Sequence, residues 1–262
     1  MTATGTTEKD AAADLLFGIS QGRLPHPVPD ILSEYGDGSV DPGAELQVAV
    51  LDRWQAAGER VGGWKIAWTS RGGRDRGGVG YRPFGYILAS RIVRSGATLS
   101  RADIHVPVLE AELCLTMGAE LSGPAVTVEQ ARAAVAAVSP SFEICSRRGM
   151  GLSLAARVGN AMNNWGLVVG PEQDPARATD AVPVRLVRDG VEVSSGVTDR
   201  ETVDDPFLSL TRVCASLDAF GLGLHAGDRL LTGSILAGAD VGEAREMTAT
   251  FGDLGSVTIN FG

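Results

Sequence analysis

Residues 107–115 constrain this chain more than any other stretch, because they place two carboxylates inside an otherwise apolar run. Glu110 and Glu112 are two residues apart, so on a β-strand both side chains project from the same face. Two anions side by side on a half-buried face repel each other and lose hydration, so they require a cation or a shared proton. A divalent metal ion meets this requirement most simply, although alternating glutamates are more commonly found on a solvated strand face.

A third carboxylate, Glu143, lies about 30 residues further on, in a short apolar segment that also reads as a strand. Three carboxylates from two strands suit Mg²⁺ or Mn²⁺, hard cations that prefer oxygen ligands and keep positions open for water or substrate. Lys65 and Lys9 are the only lysines, and Lys65 lies in an apolar segment. It is either an ordinary lysine at a strand end or a cation beside the metal that holds a substrate carboxylate or enolate.

Composition excludes several classes of protein. A formal charge of −9 argues against a protein that binds nucleic-acid phosphates. Three cysteines without close spacing indicate neither a disulfide framework nor a zinc cluster, and they suit a reducing interior: Cys114, Cys145 and Cys214. The start has no signal-peptide pattern, and no apolar run is long enough to span a membrane. We therefore expect a cytoplasmic protein with no membrane or nucleic-acid partner.

The order of predicted elements favours a small helical N-terminal part, residues 1–60, packed on a β-rich body, residues 61–262, as one integrated unit. Helices are predicted at residues 10–22, 42–57, 127–138 and about 206–220. The first ends at Gly22 and a Pro25-His26-Pro27 turn, and the third is capped by Thr127 and stopped by Ser139-Pro140. Strands are expected to dominate the remainder, with a hairpin turn at Asp189-Gly190. Glycine-rich residues 71–80 form a surface loop or an active-site lid.

Five short motifs occur in one order along the chain. They are Gly63-Trp-Lys-Ile66, Glu110-Ala-Glu-Leu113, Phe142-Glu-Ile144, Leu231-Thr-Gly-Ser234 and Thr250-Phe-Gly-Asp-Leu-Gly-Ser-Val257. With these motifs the chain, from about residue 10 to its end, resembles the 2-keto-4-pentenoate hydratase and 4-oxalocrotonate decarboxylase branch of the fumarylacetoacetate hydrolase superfamily. The resemblance implies an α+β fold with a mixed β-roll or β-sandwich body and a small helical N-terminal part.

The resemblance also implies a function. It assigns Mg²⁺ or Mn²⁺ to Glu110, Glu112 and Glu143, and it places Lys65 beside the substrate as a second cation or proton relay. Substrate contacts are expected from four further residues: Thr232, Gly233, Asn160 and Met162. The expected enzyme is a lyase of aromatic catabolism that hydrates or decarboxylates a small 2-oxo acid or β-dicarbonyl compound through a metal-stabilised enolate. Homo-oligomers, or a complex with a related subunit, are expected as well.

Several positions depart from the pattern of that branch. An acid expected before Phe84-Gly85 is replaced by Pro83, and Val108 replaces a basic residue two before the first ligand. Ser146-Arg147-Arg148 and Gly159-Asn-Ala-Met162 replace two further polar motifs, so three acids and one hydroxyl are missing around the pocket. The missing acids weaken hydration more than decarboxylation, since only hydration needs activated water. Other interpretations are a carbon–carbon hydrolase of acylpyruvates, a non-catalytic binding subunit and a biosynthetic enzyme with a more apolar pocket.

Overall fold

Helices come first along the chain and strands dominate the rest. The computed structural model describes residues 7–22, 28–36, 40–147, 151–177 and 179–262. The helices are α1 (Glu8–Ser20), α2 (Asp30–Ser33), α3 (Asp41–Ala56), α4 (Val128–Ala134), α5 (Leu154–Gly159) and α6 (Pro206–Asp218). The strands are β1 (Val61–Ile66), β2 (Phe84–Leu88), β3 (Ile92–Arg94), β4 (Thr98–Leu99), β5 (Pro107–Met117), β6 (Val135–Ser146), β7 (Asn164–Val169), β8 (Pro183–Arg188), β9 (Val191–Val197), β10 (Arg229–Ser234), β11 (Ala239–Asp240), β12 (Glu246–Phe251) and β13 (Ser256–Phe261).

The strands form two mixed sheets. The larger has the order β2-β1-β10-β5-β6-β7-β3, with β11 added at one end of β5, and the smaller has the order β4-β13-β12-β8-β9. Most neighbours are antiparallel, but β1 with β10, β3 with β7 and β4 with β13 run parallel. Strands β12 and β13 pack against β6, so the sheets share one apolar core. This confirms the predicted α+β fold with a mixed β body and a helical N-terminal part.

The long pair β5 and β6 lies at the centre of the larger sheet. Their antiparallel register sets Glu110 directly opposite Glu143, and Glu112 opposite Ser141. Both strands are buried along most of their length because apolar side chains alternate on the core face. The register therefore brings the three carboxylates predicted from the sequence onto one face of two adjacent strands.

The predicted helix at residues 127–138 is wrong in its last turn. Its start is confirmed, since Thr127 and Gln130 form a reciprocal capping box. The helix ends at Ala134, however, and residues 135–138 begin β6. Val138 pairs with Leu115 on β5, and the backbone of Val138 also exchanges hydrogen bonds with Gln173. Tertiary pairing of β-branched residues thus overrides the helix propensity of the alanine-rich run.

Helices α1 and α3 cover one end of the body through close contact with α5. A Cβ atom on Gly43 would lie only 2.5 Å from the carbonyl oxygen of Ala155, so glycine permits the approach of α3 to α5. The buried amide of Gln47 donates to the carbonyls of Phe84 and Val158, each at 3.0 Å. The predicted turn at residues 25–27 lies outside the described residues. No helix in the described part of the chain has the length and apolar character of a membrane span.

Candidate metal centre and active site

An open cavity of about 650 Å³ lies over the face that carries the glutamates. Four adjacent strands supply its floor. Lys65 comes from β1, Glu110 and Glu112 from β5, Glu143 and Cys145 from β6, and Gly233 from β10. Residues outside the strands, including Arg76, Arg147, Met162 and Asn163, also line it. Chemistry-bearing side chains from distant parts of the sequence thus converge because their strands are neighbours in the sheet.

The glutamates are held in an environment that penalises their charge. Glu112 and Glu143 are each 1 % exposed, whereas Glu110 is half-buried. Burial, reinforced by the carboxylate of Glu143, raises the pKa of Glu110 to about 7. The pKa of Glu112 is raised well above its usual range by burial, and then by the neighbouring Glu143 and Glu110. Ionisation of both carboxyl groups is therefore disfavoured unless a cation compensates their charge.

Lys65 provides part of that compensation. Its Nζ lies 2.8 Å from Oε1 of Glu143, and both side chains are almost fully buried. Burial alone would lower the pKa of Lys65, but Glu143 and the other anionic groups beside it outweigh that effect and raise the pKa. When all three carboxyl groups are ionised, they and the ammonium of Lys65 carry a formal charge of −2 in the cavity floor. A divalent cation would neutralise this charge, so the residues present fit the metal that the sequence predicted.

Backbone and amide donors fix two of the carboxylates. The N–H of Gly233 donates to Oε2 of Glu112 at 2.8 Å, and the side chain of Asn164 donates to Oε1 of Glu143 at 2.9 Å. Gly233 has a φ of +114°, and a Cβ atom there would lie 1.8 Å from Oγ1 of Thr69. The pairing of β10 with β5 is irregular at this point, which frees the N–H of Gly233 for the carboxylate. Only glycine satisfies this conformation and this contact together.

A strained turn forms one wall of the cavity. Ala161, Met162 and Asn163 have φ angles of 48°, 54° and 67°, so three consecutive residues other than glycine adopt the left-handed conformation. Each such residue costs about 1–2 kcal/mol, although asparagine tolerates the region better than the others. Lys65 donates to the carbonyl of Met162 at 3.3 Å. The same ammonium thus contacts a predicted metal ligand and the strained turn.

A buried ion cluster anchors the glycine-rich residues 71–80 at the edge of the cavity. Asp204, which is 6 % exposed, contacts three arginines: Arg74, Arg82 and Arg212. The N–H of Arg71 donates to the carbonyl of Thr202. Gly72, Gly73 and Arg76 line the cavity. The loop predicted from composition is therefore tied down at its base and borders the candidate site.

The structure separates the four predicted substrate-contact residues into two pairs. Met162 and Gly233 line the cavity. Thr232 and Asn160 do not, since the hydroxyl of Thr232 donates to the carbonyl of Leu113 at 3.0 Å and the amide of Asn160 faces Asn163 at 3.4 Å. Neighbouring residues of a strand point to opposite faces, which explains why Thr232 turns away where Gly233 faces the site.

Sequence reasoning missed Cys145 as a member of the site. Ligand atoms of Glu110, Glu143 and Cys145 all lie within 4.8 Å of one another, and Glu112 is not part of this group. Cys145 follows Glu143 by two residues, so it shares a strand face with Glu143 just as Glu112 does with Glu110. That spacing was the signal that could have found it. Asn164, Arg76 and Arg147 were also missed, and no local pattern marks them.

Comparison with known proteins confirms the resemblance indicated by the motifs. No protein-family model matches the chain. Among characterised proteins, it is 27% identical to 2-hydroxyhexa-2,4-dienoate hydratase of Comamonas testosteroni over 231 residues, which cover 85% of this chain and 86% of the relative. It is 24% identical to 4-oxalocrotonate decarboxylase of Pseudomonas sp. strain CF600 over 263 residues, which cover 98% of each chain.

Solved structures share the fold. 4-Oxalocrotonate decarboxylase from Pseudomonas putida G7, complexed with magnesium and adipate, superposes with a TM-score of 0.87 at 20% identity and covers 97% of both chains. Fumarylpyruvate hydrolase from Pseudomonas aeruginosa, in complex with Mn²⁺ and pyruvate, superposes with a TM-score of 0.56 at 17% identity over 76% of this chain and 88% of that one. At these identities the structural likeness establishes the fold.

Proposed function

We propose that this chain, whose sequence resembles hydratases and decarboxylases of 2-oxo acids over nearly its full length, is a divalent-metal-dependent lyase of a small 2-oxo acid. The observation that carries the proposal is the floor of the cavity, where three glutamates and one lysine, when ionised, carry a formal charge of −2 beside open space of about 650 Å³. A surface ion cluster would not need such burial, and a structural core would not leave a cavity above it.

The chain's own residues have distinct roles in this proposal. Glu110 and Glu143 hold the ion, with Glu112 behind them, fixed by the N–H of Gly233. When bound, a divalent ion supplies a Lewis acid that stabilises negative charge developing on the substrate's 2-oxo group. Lys65 binds the substrate carboxylate and holds the proton that is returned to the substrate carbon. Its buried ion pair with Glu143 keeps this ammonium charged and in place.

Within the lyase class, the cavity favours decarboxylation over hydration. Hydration requires a base that activates water, yet the described residues that line the cavity include no histidine and no carboxylate other than the three glutamates. Arg76 and Arg147 add positive charge to the lining of the cavity. Arg147 pairs with Asp240 at 2.6 Å, whereas Arg76 has no carboxylate partner in the described part of the chain. A 2-oxo acid with a second anionic group fits this distribution of charge.

Turnover and metal content test the proposal together. The purified protein, loaded with Mg²⁺ or Mn²⁺, is offered 4-oxalocrotonate and 2-hydroxyhexa-2,4-dienoate, while carbon dioxide release and loss of conjugated absorbance are followed. We expect turnover that a chelator abolishes and added metal restores. Glu110→Gln and Glu143→Gln should lose metal and activity, whereas the distant exposed Glu246→Gln should keep both. Metal content and turnover that survive both glutamate substitutions would refute the proposal.

Two other functions give different results when an acylpyruvate is offered as a third substrate. A carbon–carbon hydrolase of acylpyruvates would release pyruvate from it without carbon dioxide, and it would need the water-activating base that the described cavity lining lacks. A non-catalytic binding subunit would turn over none of the three and would gain a function only in complex with a related chain. We propose Mg²⁺ or Mn²⁺ as the ion because the glutamates supply oxygen ligands. Isothermal titration calorimetry with each ion measures which of the two binds more tightly.

Homo-oligomer formation is part of the proposal and has a surface that fits it. Strand β9 lies at the edge of the smaller sheet and exposes three valines: Val191, Val193 and Val197, at 66%, 42% and 49%. A second copy of the chain that packs against this edge would cover exposed apolar side chains. In light scattering, Val193→Lys should reduce the mass, while Val79→Lys, at a fully exposed site outside β9, should not. The three cysteines are free, which supports a cytoplasmic location, and cell fractionation tests it.

A further inference from the structure

Asn164, the first residue of β7, holds one oxygen of Glu143. Its side-chain nitrogen donates to Oε1 of Glu143 at 2.9 Å, and Nζ of Lys65 lies 2.8 Å from the same oxygen. The nitrogen of Asn164 also lies 3.5 Å from the carbonyl oxygen of Gly166. With the amide reversed, its oxygen would face two acceptors and neither contact would form. The contacts of Asn164 therefore allow one orientation of its amide, with the N–H groups toward Glu143.

An extra residue in β7 turns this amide toward the site. Ile144 of β6 pairs with Gly166, so in a regular antiparallel ladder Cys145 would pair with Trp165. The register shifts at this point, and Cys145 pairs with Asn164 instead. Paired residues project from the same face, so Asn164 lies on the face of the sheet that carries the glutamates. The irregularity thus puts an amide beside the site where a regular strand would put a tryptophan.

The two donors occupy one oxygen of Glu143 and leave the other available. Both Lys65 and Asn164 contact Oε1, whereas no residue in the described part of the chain donates to Oε2. Lys65 carries its ammonium on a flexible stem and also contacts the carbonyl of Met162 at 3.3 Å. The planar amide of Asn164, on a short side chain, restricts the rotation of the carboxylate more closely. One oxygen of Glu143, Oε2, therefore remains for a ligand in the cavity that this residue lines.

We propose that Asn164 is a positioning residue of the proposed metal centre, which fixes the carboxylate of Glu143 so that Oε2 is free to bind the divalent ion. This inference rests on the metal site of the proposed function and adds a residue that sets the affinity for Mg²⁺ or Mn²⁺. The amide is uncharged, so its removal leaves the formal charge of the site unchanged and takes away one contact that holds Glu143. Loss of a hydrogen bond to a metal-binding side chain typically lowers metal affinity by about 10–100-fold.

Calorimetric titration with Mn²⁺ tests this role without reference to turnover. The metal-free full-length protein and its variants are compared at a temperature well below unfolding. Asn164→Leu keeps the approximate size of the side chain without its donor, and Asn164→Ala removes the side chain beyond Cβ. We expect both to raise the dissociation constant for Mn²⁺ by at least about tenfold. The matched control is Asn260→Ala on β13, whose amide contacts the carbonyls of Gly96 and Ala97, and it should leave the dissociation constant unchanged.

A double substitution shows whether Asn164 acts through Glu143. Glu143→Asp draws the carboxylate back by one methylene and out of hydrogen-bond reach of the amide, so adding Asn164→Leu should have little further effect on the dissociation constant. In Glu110→Asp, adding Asn164→Leu should keep its effect of about tenfold, because no hydrogen bond joins Glu110 to Asn164 among the described residues. The same effect of Asn164→Leu in both backgrounds would overturn the proposed role.

The remaining outcomes separate this inference from its premise. A structural role alone would lower the melting temperature of metal-free Asn164→Ala and Asn164→Leu but leave their dissociation constants for Mn²⁺ unchanged, and that result would overturn the inference. Failure of the folded, unsubstituted protein to bind Mn²⁺ would overturn both the inference and the proposed function. Binding of Mn²⁺ without turnover of any 2-oxo acid offered would overturn the lyase alone, since the affinities of the variants decide the role of Asn164.

Discussion

Removing metal should make the stability of the folded protein fall as pH rises through neutrality. The reason is Glu110, whose pKa is raised from 4.5 to about 7, mainly by burial. A carboxyl group with a raised folded-state pKa binds a proton more tightly in the folded than in the unfolded chain. The free energy of unfolding is therefore highest below the unfolded pKa and declines as pH rises through the folded pKa.

The magnitude follows from the difference between the two pKa values. Each pKa unit corresponds to about 1.36 kcal/mol, so the rise at Glu110 from 4.5 to about 7 corresponds to about 3 kcal/mol of lost stability. For a chain of 262 residues this lowers the melting temperature by roughly 5–10 °C. Glu112, also raised, adds to the fall. The groups with lowered pKa values, Asp10, Asp75 and Glu129, act on the acid side of this window.

The assay is thermal unfolding at several pH values between about 5 and 8, with chelator and with saturating divalent metal. We expect a falling melting temperature in chelator and a much flatter profile with metal, because the ion favours the ionised carboxylates. Glu110→Gln should flatten the metal-free profile. Glu246→Gln, which changes an exposed glutamate on β12, should leave it unchanged. A metal-free melting temperature that is constant or rises over this range would refute the electrostatic reasoning.

Three further perturbations test individual features of the site. Gly233→Ala should lower the free energy of unfolding, measured in urea, by several kcal/mol because the new Cβ would meet Thr69. Gly190→Ala, also at positive φ but with open space around it, should lower it by about 1 kcal/mol. Equal losses in the two variants would contradict the contact argument. Met162→Gly should be more stable than Met162→Ala by about 1 kcal/mol, because only glycine adopts the positive φ of this turn without strain. The reverse order of stability would exclude strain at this position. Asp204→Asn should lower the free energy of unfolding by about 3–5 kcal/mol because it breaks a buried ion cluster. Asp240→Asn, which breaks an exposed ion pair, should change the same quantity by less than about 1 kcal/mol. A small effect at Asp204 would show that its three arginines find other partners.

The sequence predicted the centre of the site because its signals are local. Two-residue spacing put Glu110 and Glu112 on one strand face, and an apolar segment marked Glu143 as a neighbour. Their direct opposition across β5 and β6 depends on register, which no local pattern states. Lys65 was singled out by rarity, yet its side chain contacts Glu143 of β6 across the two strands, β10 and β5, that lie between β1 and β6.

Other features depend on tertiary structure alone. The four residues at 135–138 have the composition of a helix end but pair as a strand, because β5 offers them partners. Thr232 belongs to one of the motifs on which the resemblance rests, yet strand alternation turns its hydroxyl toward Leu113. Arg76 and Arg147 reach the cavity from loops whose course the sequence does not specify. The missed Cys145 is different, since its spacing from Glu143 was visible in the sequence.

The opposition of Glu110 and Glu143 in the β5–β6 ladder also bears on how this scaffold can change its chemistry. A shift of register by one residue would carry a glutamate to the other face of the sheet, so the proposed metal ligands cannot be relocated without rebuilding the central strands. The rim is under no such constraint, because Arg76, Arg147 and Met162 lie outside the strands. Changes at the rim could therefore alter which substrate fits this fold, while the three glutamates of the cavity floor stay in place.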